Sequence, residues 1–201
     1  MIQKFMRGLI PFAIIMIAIP LMGLELGDKP PKRDVQMKNI DGDMLSIEGV
    51  QGEKGTLVLF ICNHCPWVKA WESRIAEIGN TYREKGIGVI GVNSNDPEAY
   101  PSDDFEAMQK RAEKVGYQFP YVVDATSEVA RAFGATKTPE AFLFNADGEL
   151  VYHGTIDDNA RKPDKVEKKY LKNALEAVVN GEEVPTKKTK ALGCSIKYRD
   201  A

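Results

Sequence analysis

The stretch Thr56-Leu-Val-Leu-Phe-Ile61 runs without a break into Cys62-Asn-His-Cys65, and Pro66 then opens a segment with helical spacing. A short apolar run of this kind suits a strand buried in a parallel sheet. The spacing predicts a helix over Pro66 to Lys85, with Val68, Trp71, Ile75 and Ile78 on one face and Gly86 as its stop. A chain that passes from buried strand to helix across two cysteines has its sulfurs fixed at the carboxyl edge of a sheet. Open α/β sheets gather their active sites at that edge. A helix amino terminus presents free N–H groups and a partial positive charge, which favour a thiolate. A thiol placed there has a lowered pKa and becomes a nucleophile at neutral pH. Two intervening residues let the second sulfur reach back and close a disulfide.

The rest of the chain supplies the elements around this unit. Val35 to Ile47 alternates loosely about Asp41-Gly42, a hairpin turn dipeptide. Ile87 to Val92 reads as a second buried strand and Asp96 to Ser102 as a loop, after which Asp103 is expected to cap a helix running to about Val115. Tyr121 to Val123 suits a short strand, and Ser127 to Phe133 a short helix closed by Gly134. Ala141 to Asn145 and Leu150 to Gly154 flank Ala146-Asp-Gly148 as an antiparallel hairpin. Asp164 to Asn180 is expected to be the last helix, with Val166, Tyr170, Ala174 and Val178 on its apolar face and Gly181 at its end. Strand and helix alternate and then give way to a hairpin and a closing helix, so the fold class is α/β with a central mixed sheet flanked by helices. The early hairpin is an N-terminal extension of it.

Composition narrows the chemistry. In 201 residues, 27 basic side chains face 29 acidic ones for a net charge of −2, without the clustered basic excess of a nucleic-acid binder. Three cysteines are too few for a disulfide-stapled scaffold or a four-thiolate zinc site. A four-ligand metal site built on Cys62 and Cys65 would have to draw on His64, His153 and Cys194, so redox chemistry is the leading reading and no metal is expected. His64 lies directly before the second cysteine. An imidazole there would favour the Cys62 thiolate, stabilise the reduced form and raise the reduction potential.

The amino terminus reads differently from the rest. Lys4 and Arg7 precede a 16-residue uncharged stretch from Leu9 to Leu24, shorter than a membrane-spanning helix requires and interrupted by Pro11 and Pro20. Residues 1–23 are therefore expected to be an export signal or, failing cleavage, a membrane anchor, which would put the protein in the periplasm or cell envelope. Residues 24–34, with Pro30-Pro31, are expected to be a linker, 35–181 the folded domain, and 182–201 an extended lysine-rich tail carrying Cys194.

The strand, Cys62-Asn-His-Cys65, the helix and the later Thr138-Pro139 ahead of Ala141–Asn145 resemble the thioredoxin-like superfamily. The hairpin start and the stretch from Asp124 to Phe144 look like its redoxin branch, which includes alkyl hydroperoxide reductase and thiol-specific antioxidant proteins. The site and the tail Gly193-Cys-Ser-Ile-Lys197 are similar to a bacterial group of redoxin-domain proteins. The resemblance implies a thioredoxin-like fold and a cis peptide before Pro139, facing the sulfurs and leaving a backbone edge open to an extended substrate. It also has departures. Ile61 stands where thioredoxins carry Trp, and Thr56 where they carry a buried acid. Leu59 takes the place of the Thr or Ser that orients peroxide in peroxiredoxins, and Arg131 is a candidate for their second-shell arginine only by proximity in sequence, a solvated helix arginine being the other reading.

Together these features predict a thiol-disulfide oxidoreductase working through Cys62 and Cys65, supported by His64, Thr138 and Pro139, with the redox disulfide as its only prosthetic device. Trp67 is expected either to line the groove or to pack. Its partners would be protein or small-molecule disulfides and a reductant. The position implied for the potential lies above thioredoxin's roughly −270 mV, towards the isomerases at about −180 mV. The alternatives are a thiol peroxidase and a copper-handling protein using Cys62 and Cys65 with help from His153. Cys194 stays open between a relay or resolving cysteine, a link to another chain and a spare thiol on a flexible tail.

Overall fold

The structure is a computed structural model and describes residues 23–199. The expectations for residues 1–22 lie outside it. Among the described residues no helix is long and apolar enough to cross a membrane.

The strands are β1 (Met37–Asn39), β2 (Met44–Leu45), β3 (Gly55–Phe60), β4 (Ile87–Asn93), β5 (Tyr121–Val123), β6 (Lys137–Thr138), β7 (Glu140–Asn145), β8 (Leu150–Gly154) and β9 (Cys194–Ser195). The helices are α1 (Pro66–Glu84), α2 (Phe105–Val115), α3 (Glu128–Phe133) and α4 (Tyr170–Asn180). One mixed sheet runs in the order β2-β1-β5-β4-β3-β7-β8, and β6 pairs with β9 in a separate ribbon. β3 lies at its heart, parallel to β4 with Leu57 opposite Val89, and antiparallel to β7 with Leu57 opposite Leu143.

Because side chains alternate along a strand, β3 feeds two cores at once. Leu57, Leu59 and Ile61 face the core shared with Val68, Trp71 and Ile75 of α1, Met108 of α2, and Leu171 and Leu175 of α4. Val58 and Phe60 face the other, with Met37, Phe142 and Val129, Ala130 and Phe133 of α3. There the rings of Phe60, Phe133 and Phe142 meet edge to face at centroid distances of 5.2 to 5.6 Å. Each such pair contributes about 0.5–1.5 kcal/mol beyond its buried area. A strand packed on both faces is held rigidly, and it aims whatever follows Ile61.

Three expectations change. The cap of α2 is Asp104, whose carboxylate accepts the Ala107 N–H, while Asp103 is buried and turned inward. The last helix starts at Tyr170 rather than Asp164. Its expected first turns are instead a 3-10 turn at Pro163–Lys165 and an extended stretch. Their backbone is committed elsewhere, since Asp158 donates to Lys168 O and the Glu167 N–H donates to Asp158 Oδ1. The stretch read as a linker is docked, with Gly27 N–H on Leu150 O and Leu150 N–H on Asp28 O, each at 2.9 Å.

Candidate functional site

The Ile61 N–H still bonds Val92 O at 3.0 Å, so Cys62 is the first residue to leave the sheet. Cys65 is the residue immediately before α1, and Pro66 holds the first helical position, where its missing N–H costs nothing. Both sulfurs are buried, Cys62 at 2% exposure and Cys65 at 0%. Thr138, from the ribbon across the site, touches both. Its hydroxyl lies 3.2 Å from the Cys62 Sγ, and its carbonyl oxygen accepts from the Cys65 S–H at 3.1 Å. The Thr138–Pro139 peptide is cis, as the resemblance implied.

The two thiols also act on each other, and that mutual influence is the largest on both, lowering Cys65 to about 4 and holding Cys62 far above the ordinary thiol range. The two shifts are one event, a single proton shared by two sulfurs. Burial opposes the charge on Cys65, while the Cys194 side chain and the N–H groups of Val68 and Cys194 support it. Burial and Asp103 add to the rise at Cys62, and the Thr138 hydroxyl counters it. A carbonyl oxygen only accepts, so when the proton sits on Cys65 it is donated to Thr138 O. Cys62 then carries the charge beside the Thr138 hydroxyl. The reduced pair therefore holds one thiolate that can be expressed at Cys62.

The buried carboxylate beside the sulfurs comes from Asp103. Its Oδ1 accepts the backbone N–H of Asn63 at 2.5 Å and of His64 at 3.2 Å. Its Oδ2 accepts from Asn95 Nδ2 at 2.9 Å and is bonded to His64 Nδ1. Asp103 thus clamps the loop between the cysteines. Nothing local marked it, because Asp103-Asp104 offers two caps for one helix and only the tertiary fold decides which one serves. The role expected for His64 changes accordingly. Its Nδ1 is engaged by Asp103 and its ring stacks on Tyr100 at 4.2 Å. The imidazole positions the loop and does not stabilise a Cys62 thiolate through a bond of its own. Thr56 is buried on β3 and supplies no acid. Asn63 is held from its far side, where the Tyr121 hydroxyl donates to its Oδ1 at 3.1 Å. Burial keeps that phenol protonated, far above its usual range.

A second clamp holds the opposite side of the site. Glu140, buried at 3% exposure, accepts the N–H groups of Thr136 and Lys137 at 2.8 Å each and pairs with His153 Nε2 at 2.6 Å. The His153 ring stacks on Phe142. His153 is therefore a brace for the ribbon carrying Thr138. The donor atoms of Cys62, His64 and Asp103 lie within 4.8 Å of one another, a set able to hold a metal ion, and His153 is not among them. Trp67 is half-buried, 5.9 Å from the Trp71 ring and with the Arg161 guanidinium 5.7 Å from its own. It packs and also lines a surface hollow with Asn159, Arg161 and Leu192.

The tail that carries Cys194 is anchored to the domain. β9 pairs antiparallel with β6, placing Cys194 opposite Thr138. Burial and then the neighbouring Cys65 push the Cys194 thiol up to about 11. Arg131 of α3, a candidate peroxidatic arginine by proximity in sequence, is engaged by this tail. It donates to Arg199 O at 2.7 Å and lies 4.9 Å from the Tyr198 ring.

Comparison with known proteins agrees with this geometry. The thiol-disulfide oxidoreductase ResA of Halalkalibacterium halodurans is 27% identical over 115 residues, 57% of this chain. The match spans 61% of that relative's length. An uncharacterised conserved protein from Geobacillus kaustophilus superposes with a TM-score of 0.81 at 38% identity, covering 88% of this chain and 94% of its own. A thioredoxin-like protein solved in its oxidised form superposes at 0.61 with 20% identity, over 82% of this chain and all of its own, and so shares the fold. Residues 26–153, from the docked amino-terminal segment through β8, match the AhpC/TSA family. With that match covering more than half of its length, and with Cys62 and Cys65 set where strand meets helix, this chain belongs to the AhpC/TSA family and has a thioredoxin-like fold.

Proposed function

We propose that the protein is a thiol-disulfide oxidoreductase in which Cys62 meets the substrate and Cys65 resolves the intermediate. The observation that carries this reading is the contact of both sulfurs with one residue, hydroxyl to Cys62 and carbonyl to Cys65, at 3.2 and 3.1 Å. In the reducing direction the Cys62 thiolate attacks a substrate disulfide, forming a Cys62–substrate bond and expelling one substrate thiolate. Cys65 then attacks the Cys62 sulfur, expels the second substrate thiolate and leaves the Cys62–Cys65 disulfide. The oxidising direction reverses these steps. Thr138 steadies the charge on Cys62, and Asp103 with His64 holds the loop so that the sulfurs stay within reach.

The partners of this reaction are disulfides on one side and a thiol reductant on the other. The charge pattern of residues 1–24 supports action outside the cytoplasm, in the periplasm or envelope. Family membership supports thiol peroxidase activity as a second reading. Against it, Leu59 offers no hydroxyl for a peroxide and Arg131 is turned to the tail.

The test is a pair of single substitutions. Cys65→Ser should accumulate a mixed disulfide between Cys62 and a protein disulfide substrate. Cys62→Ser should form no mixed disulfide with that protein substrate and should reduce it far more slowly than the wild type. A mixed disulfide in Cys62→Ser and none in Cys65→Ser would overturn the assignment.

A further inference from the structure

The cis-proline edge of the site is occupied by the chain's own tail. β9 adds to β6 as a short antiparallel strand in the register Lys137 to Ser195 and Thr138 to Cys194. An extended peptide added to an exposed edge makes the same kind of pairing. Gly193 comes so close that a Cβ there would meet Thr138 O at 2.1 Å, which no side chain tolerates. The rest of the tail is bound by independent contacts. Ile196 is buried in the core around α3, and its N–H bonds Thr136 O at 3.0 Å. Asn95 donates to Asp103 and accepts the Lys197 N–H at 2.8 Å, so the tail is tied to the same clamp as the cysteine loop. The Arg199 N–H bonds Ser127 Oγ at 2.9 Å. This docking sets Cys194 opposite Thr138, the residue whose carbonyl oxygen accepts from Cys65, and packs it against the core cluster that holds Cys65.

Building on the oxidoreductase reading above, we infer that the tail is a tethered substrate strand and that Cys194 exchanges with Cys65 as a third redox cysteine. In the Cys62–Cys65 disulfide, Cys194 attacks the Cys65 sulfur. The Cys62–Cys65 bond breaks, a Cys65–Cys194 bond forms, and the proton of Cys194 passes to the departing Cys62. The count of disulfides is unchanged. Cys62 is freed for a new exchange, and the oxidised bond moves to the half-buried tail, where an external dithiol attacks Cys194, expels Cys65, and closes its own disulfide. Substrate disulfide thus enters at Cys62 and reductant at Cys194.

The experiment uses the reduced full chain, bis(2-hydroxyethyl) disulfide as oxidant, acid quenching, alkylation of remaining thiols and peptide mapping by mass. In Cys62→Ser the oxidant should take two hydrogens from Cys65 and Cys194 and leave an intrachain Cys65–Cys194 link in most molecules. Adding Gly193→Val, which undocks the strand without touching a sulfur, should cut that link at least tenfold and leave hydroxyethyl adducts. Adducts or chain-to-chain dimers in Cys62→Ser itself would overturn the inference, and so would a link indifferent to Gly193→Val. The wild-type chain separates this from the underlying reading. A Cys62–Cys65 disulfide there, without the link in Cys62→Ser, removes only the role of Cys194. Failure of the wild type to close either a Cys62–Cys65 or a Cys65–Cys194 disulfide removes the oxidoreductase reading.

Discussion

Replacing Asp103 by Ala removes the acceptor for two buried donors, the Asn63 N–H and the Asn95 carboxamide, and for the His64 N–H at the edge of solvent. Asp103 is 1% exposed, Asn63 6% and Asn95 1%, so the two buried donors are shielded from bulk water. A buried donor left without a partner costs about 1–3 kcal/mol, so the two together give about 2–6 kcal/mol. A domain of ordinary stability has about 5–15 kcal/mol to lose. Asp103→Asn should lose about half as much, because one oxygen still serves the two backbone N–H groups while its amide faces the Asn95 amide, donor against donor. Rotating Asn95 would relieve that clash only by giving up the Lys197 N–H. Urea unfolding of the reduced chain gives the difference from the shift in midpoint at constant slope. A loss below about 1 kcal/mol for Asp103→Ala would refute the idea that this carboxylate clamps the loop.

The reduced pair should keep its thiolate absorbance near 240 nm as pH falls from 9 to about 5, and lose it only as pH approaches 4, the depressed value of Cys65. An ordinary thiol loses its charge below about 8.5, and a drop there would contradict the shared proton. Thr138→Val removes the hydroxyl 3.2 Å from Cys62. It should slow exchange with a model disulfide by about 2- to 10-fold, the equivalent of one hydrogen bond at about 0.5–1.5 kcal/mol, and an unchanged rate would deny the hydroxyl a part. Phe133→Ala breaks the edge-to-face cluster with Phe60 and Phe142. It should cost about 3–5 kcal/mol in the same urea assay while leaving the thiolate titration where it was.

The parts of this molecule visible in its sequence are those specified over short distances. The apolar stripe Val68, Trp71, Ile75 and Ile78 is buried along α1, and the strand before it feeds both cores. The sulfurs stand where strand meets helix because local pattern alone places them there. What escaped the sequence was decided by tertiary contact. Asp103 and Asp104 are equivalent as local caps, and the buried N–H groups of residues 63 and 64 select between them. The charged run before Tyr170 has helical spacing, yet its backbone finds partners at Asp158, whose N–H donates to Lys168 O and whose Oδ1 accepts the Glu167 N–H. Cys194 meets Thr138 across 55 intervening residues, and the anchors that bring it there, Ile196 and Lys197, look in sequence like any tail.

The most direct test of the central claim compares two reactions of the fully reduced protein, one with a protein disulfide and one with hydrogen peroxide, each stopped by thiol trapping and followed by intact mass. The account predicts rapid loss of two thiols to the disulfide substrate, with a Cys62–Cys65 link or its Cys65–Cys194 successor in the peptide map and slow reaction with peroxide. Rapid reaction with peroxide, with sulfenic acid trapped at Cys62 and little exchange with the protein disulfide, would contradict it.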